Sequence, residues 1–174
     1  RALALSTLRH AEALTERYVD ESLRDPDPDV RRIAAASLDL VPPSLRTELT
    51  RRALGDQTLR VSIEALRQLA DDPSNALRCQ WLDIAAGKTN MRPIRVLALE
   101  ALGEPCPDVA AQQQTLLDAV SEIGAATDSE WLAPARALVS LASIAPELAE
   151  AVLPQFLEHE NAFVRSYAAS SAAL

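Results

Sequence analysis

Glycine is scarce in this chain, four residues in 174. With no Asn-Gly or Asp-Gly pair and few β-branched alternations, the sequence lacks the turn chemistry that hairpins need, which argues against a sheet protein. Aromatic residues make up only 3% while hydrophobic residues reach 48%, so any core must be built mostly of Leu, Ala and Val. No apolar run approaches the roughly 18 residues that a membrane span requires. The N-terminus has no charged-then-apolar signal pattern either. A soluble all-α chain with no membrane partner is the expectation. With Arg1 in place of an initial Met and an uncapped helical ending, FVRSYAASSAAL, the sequence reads as a piece of a longer polypeptide.

Chemistry-bearing residues are equally sparse. There are two histidines, no CxxC pair, no GxSxG and no glycine-rich phosphate loop, so no nucleophile–base pair is visible. His159-Glu160 is the one His-Glu dipeptide; His10 is followed by Ala11. A metal centre needs several such ligands converging, so His159-Glu160 reads as a solvated helix end. No metal, no cofactor and no catalytic residue is expected within the chain. Cys79 and Cys106 lie in different elements and read as buried free thiols, which favours a cytoplasmic location over a disulfide scaffold.

Basic charge runs out toward the C-terminus. The net charge is −8, and residues 104–174 hold only Arg136 and Arg165 against ten acidic side chains. A phosphate-binding surface needs a basic stripe, and none is visible, so nucleic acid is not an expected partner. A protein with a basic surface could be drawn to residues 104–174.

What is present in quantity is one recurring unit, best seen from Ser22 to Leu40. Pro26 and Pro28 close one helix and open the next. Asp25, Asp27 and Asp29 can accept the free N–H groups of the following helix and oppose its dipole. That helix is predicted from about Asp29 to Val41, with Val30, Ile33, Ala34, Ser37, Leu38 and Val41 on one face and Pro42-Pro43 as its stop. Further copies align on an arginine near the helix start: Arg31, Arg60, Arg95, Arg136 and Arg165. Partner helices are predicted between them at Glu12–Leu23, Ser44–Leu54, Asn75–Ala86, Val109–Ala125 and Glu147–Glu158. Pro154 is expected to kink the last of these or shorten its start. Residues 1–9 read as the end of a preceding repeat.

This pattern resembles HEAT repeats, in particular the HEAT-like repeats of phycobilisome lyases, whose corner reads much like DPDPDVRRIAAASL. The resemblance spans nearly the whole chain and is closest over Asp25–Leu38. It implies a right-handed α-solenoid of about five helix-turn-helix repeats forming one array over residues 1–174. The second helix of each pair would line a concave surface. It also implies a polar ladder between adjacent repeats, built from an aspartate and an arginine six residues apart, as Asp25 and Arg31 are. Asp56 with Arg60, Asn90 with Arg95 and Asn161 with Arg165 are shorter or uncharged variants, and Arg136 has only Asp128 or Glu130 before it.

The reading that follows is a non-catalytic scaffold that binds another protein, or another domain of its own chain, on its concave side. The alternative is an accessory domain of an enzyme, lyase-type or other, whose active site lies outside these residues. Trp81, Trp131, Phe156, Phe163 and Tyr167 default to core or inter-repeat contacts. Trp131, ahead of Pro134 and beside Glu130, is the preferred exposed anchor for a partner. Arg32 and Arg67 are the arginines preferred for partner contact.

Overall fold

The computed structural model describes residues 1–72, 77–88, 90–125 and 130–173. These form eleven α-helices and two short 3-10 segments, with no strand among the described residues. No helix among them is long and apolar enough to cross a membrane. The chain divides into two compact units, Arg1–Arg78 and Cys79–Leu174.

The first unit contains α1 (Ala2–His10), α2 (Glu16–Ser22), α3 (Pro28–Ala35), α4 (Pro43–Leu54) and α5 (Leu59–Ala70). Helix α3 packs on α1, α2, α4 and α5. Its Val30, Ala34 and Ala35 are buried with Leu5, Val19, Leu38, Leu49, Val61 and Ala65 in one core. Small side chains at Ala34, Ala35 and Ala65 let the helix axes approach, so a core with so few aromatic rings still closes.

In this unit helix ends depart from the sequence reading at three places, each for a local reason; in the second unit the helix predicted over Val109–Ala125 stops at Val120 and continues as a 3-10 segment over Ser121–Ala125. Helix α2 starts at Glu16 and not at Glu12. Glu12 has a left-handed backbone, φ 54°. The Glu12 N–H bonds Arg9 O and the Ala13 N–H bonds Leu8 O. This paired reverse bonding ends α1 with glutamate where glycine is usual. Helix α3 stops at Ala35 and not at Val41. The Ser37 hydroxyl donates back to Ile33 O at 2.8 Å, and the chain tightens into a 3-10 turn over Leu38–Leu40. Pro43 is a first-turn residue of α4 and so starts that helix as much as it stops the one before.

The second unit contains α6 (Arg78–Ala86, which begins at the boundary), α7 (Arg92–Ala101), α8 (Val109–Val120), α9 (Leu132–Ile144), α10 (Pro146–Leu157) and α11 (Ala162–Ser171). Helix α9 is its axis, touching α7, α8, α10 and α11. Ala133, Ala135, Ala137, Leu138, Ser140, Leu141 and Ala142 are all buried along it. Close approach is enforced where α7 ends: a Cβ on Gly103 would lie 3.2 Å from the Ser140 hydroxyl. Pro154 does not shorten α10, which begins at Pro146 and runs through to Leu157. Part of the predicted helix Asn75–Ala86 lies outside the described residues; the described part starts at Arg78.

Candidate functional site

The corners between helices show the same wiring at two distant places. At the first, the Asp25 carboxylate accepts the Asp27 N–H at 2.8 Å. The Asp27 carboxylate caps α3 by accepting the Asp29 N–H at 2.9 Å. Arg31 then reaches back six and five residues, donating to Asp25 O at 2.9 Å and Pro26 O at 3.1 Å. At the last corner, His159 Nδ1 accepts the Asn161 N–H at 3.0 Å. Asn161 caps α11 through the Phe163 N–H at 2.9 Å. Arg165 donates to His159 O and Glu160 O, each at 2.7 Å. Residues 25, 27 and 31 therefore correspond to 159, 161 and 165. His159 is a capping residue here, because an imidazole nitrogen can replace a carboxylate as acceptor.

Three arginines, Arg31 of the first corner together with Arg46 and Arg95, reach forward to an acid 25 to 27 residues on. Arg31 grips Asp56 through Nε at 2.7 Å and Nη2 at 3.1 Å, with Thr58 Oγ1 at 3.2 Å. Arg46 pairs with Asp72 at 2.7 Å and also donates to Val41 O. Arg95 forms a fork on Glu122 at 2.8 and 2.6 Å while its Nε holds Ala86 O. Two-pronged arginine–carboxylate pairs of this kind are the strong, directional form of the interaction. Hydrogen bonding to the Asp56 carboxylate raises the Arg31 pKa further. Burial works to raise Asp56, but the bonds from Arg31 and from the Thr58 N–H outweigh it and hold the carboxyl below its ordinary value. Glu122 is likewise lowered: its burial is outweighed by Arg95 and Lys88.

The wiring differs from the six-residue pairs of the sequence reading. The Arg31 side chain bonds the Asp25 backbone, whereas the Asp25 carboxylate pairs with Arg1 at 3.1 Å. Arg60 is exposed and forms no ion pair with a described residue. The Ser62 hydroxyl, which donates to Asp56 O six residues back, occupies the register that Arg31 and Arg165 hold at their corners. Arg46 carries no such signal in the sequence, because it sits on a first helix, away from the arginine that recurs near the start of each second helix.

The two cysteines correct the thiol expectation. Cys79 and Cys106 are joined in a disulfide with Cα atoms 5.9 Å apart. The start of α6 and the loop after α7 meet, so residues 27 apart in sequence become neighbours. Gln112 secures the same loop. Buried at 4% exposure, it donates to Leu102 O and Glu104 O at 2.6 and 2.7 Å and accepts the Cys106 N–H at 3.0 Å.

One organised feature of the second unit faces solvent. Trp131 at the start of α9 lies nearly parallel to Phe163 of α11, with ring centroids 5.8 Å apart and planes 5° apart. Tyr167, one turn further along α11, meets Trp131 at 5.9 Å and 57°. The Arg136 guanidinium lies 5.2 Å from the centre of the Tyr167 ring. Phe163 is 68% exposed. Stacked and tilted aromatic pairs at these distances hold one another rigidly. The result is a shelf of three rings and one cation on two helix starts.

Of the residues singled out by sequence, Trp131 is in this shelf, and Glu130, beside it, is exposed. Arg32 and Arg67 belong to the first unit, Arg32 beside the exposed Asp29 at 4.0 Å and Arg67, itself exposed, beside the partly buried Glu64 at 3.5 Å. Such pairs contribute little to stability, so both arginines stay available at the surface. Phe163 and Tyr167, for which a core or inter-repeat contact is the default reading, touch Trp131 of the preceding helix pair and are not core residues; of the five aromatics named from sequence, Phe156 alone is fully buried. Asp128 lies outside the described residues. Among the described residues, no three His, Cys, Asp or Glu side chains converge as metal ligands do. Set against known proteins, the chain matches no family model and no curated relative.

Proposed function

We propose that the chain is a non-catalytic scaffold of HEAT-like helix pairs that recognises a protein, either a separate chain or another domain of its own polypeptide. The observation that carries this is the shelf, since Trp131, Phe163 and Tyr167 form a pre-ordered aromatic surface with Phe163 in water. Rigid aromatic anchors contribute binding energy at low entropic cost, which is why Trp and Tyr dominate interaction hot spots. Helices α9 and α11 are both second helices in the repeat reading, and under that reading second helices line the concave side. Corner wiring in one register at residues 25–31 and 159–165 supports the repeat reading. The acidic balance of residues 104–174 supports a protein partner over nucleic acid.

Compartment follows the cysteines. The cytoplasmic address expected from free thiols loses that support, and a Cys79–Cys106 bond suits an oxidising compartment.

The test is capture of a partner from the native source by the purified chain, compared with Phe163→Ala, Trp131→Ala and an Arg32→Ala/Arg67→Ala double variant. The shelf variants are expected to lose the partner and the double arginine variant to keep it. Loss with the arginine pair and retention without the shelf would place recognition in the first unit and overturn the proposal.

A further inference from the structure

The shelf already holds one cation, and the way it does so indicates what its open end takes. Arg136 lies over Tyr167 with little else to hold it. Its Nε is buried without a hydrogen-bond partner, and its contact to Glu100 is long, 3.4 Å, to a half-exposed carboxylate. The ring face is therefore the principal contact of this guanidinium, an attraction between a cation and the negative face of an aromatic quadrupole. At the other end of the stack, Phe163 has one face against Trp131 and, at 68% exposure, the other in water.

We propose that the open face of Phe163 takes an arginine or lysine side chain from a basic segment of the partner protein, extending the stack from outside as Arg136 does from within. This rests on the shelf being the docking surface. Charge complementarity selects the occupant: residues 104–174 hold ten acidic side chains against two arginines. One of these, Arg136, is engaged on the shelf, and the other, Arg165, is engaged with carbonyl groups at its corner. Glu130 precedes Trp131 in sequence, and Glu160 closes the corner that leads into Phe163. The net acidity of residues 104–174 draws a basic partner segment toward this part of the chain.

The experiment follows the indole N–H resonance of Trp131, assigned with a Trp81→Phe variant, during titration with four probes at low salt. These are a peptide alternating arginine with serine, its glutamate counterpart, its leucine counterpart and oligo-deoxythymidine. Saturable shifts are expected with the arginine peptide alone, weakening as salt rises. Phe163→Leu, which keeps apolar bulk but removes the ring, is expected to weaken that binding about threefold, and Phe163→Tyr to restore it. Equal affinity for the leucine peptide, or no change on Phe163→Leu, would overturn the cation inference and leave the shelf as a docking site. Saturation by oligo-deoxythymidine would overturn it in favour of nucleic acid. A Trp131 resonance untouched by every probe would overturn both readings.

Discussion

Arg31 has its donors distributed over Asp56, Thr58 and two carbonyl groups, so removing its carboxylate partner leaves a half-buried guanidinium short of acceptors. Asp56→Asn is expected to destabilise the first unit by about 2 kcal/mol at neutral pH, as read from urea unfolding. The sign of the pH effect follows from the depressed carboxyl values. The folded-state pKa of Asp56 lies below its unfolded one, so its contribution is complete above the unfolded value of roughly 4 and fades as pH falls through the folded value. Glu122 adds the same slope in the second unit. Asp56→Asn is therefore expected to flatten the loss of urea resistance below about pH 5, and parallel curves for variant and parent would contradict it. Glu12 provides an opposite test. Held at φ 54°, it is expected to gain about 1 kcal/mol on change to Gly, measured as a higher thermal midpoint. Neither feature was legible beforehand. The sequence displays acids and arginines but not which of them face each other, and glutamate carries no signal for a left-handed backbone.

The helices themselves were legible, because the apolar residues of VRRIAAASL and its copies recur at the three- and four-residue spacing of a helix. Their ends were less so. Ser37 and Glu12 redirect the chain through bonds to particular carbonyl groups, which composition does not reveal. The Cys79–Cys106 bond shows the same limit at the level of a helix pair. A signal did exist: Cys79 lies near the start of a first helix and Cys106 just past the end of its second, positions that an antiparallel pair brings together. The bond closes a loop across α6 and α7, and its removal is expected to destabilise the second unit by about 3 kcal/mol. Urea unfolding of Cys79→Ser against the oxidised parent checks this, with Gln112 keeping the loop partly held. An unchanged midpoint would mean that Gln112 alone suffices.

At the scale of the molecule, the helical class, the scarcity of glycine and the acidic C-terminal part were all readable from composition. The shelf was readable only in part. Trp131 stood out by its place before Pro134, but Phe163 needed the knowledge that successive second helices start side by side, so that their first-turn aromatics stack. A partner is expected to dock there, and amide hydrogen exchange with and without the captured partner reads out that contact. Slowed exchange is predicted at the starts of α9 and α11, around Trp131–Arg136 and Phe163–Tyr167, with residues 1–72 unchanged. Protection confined to residues 1–72, with both helix starts exchanging as before, would contradict it.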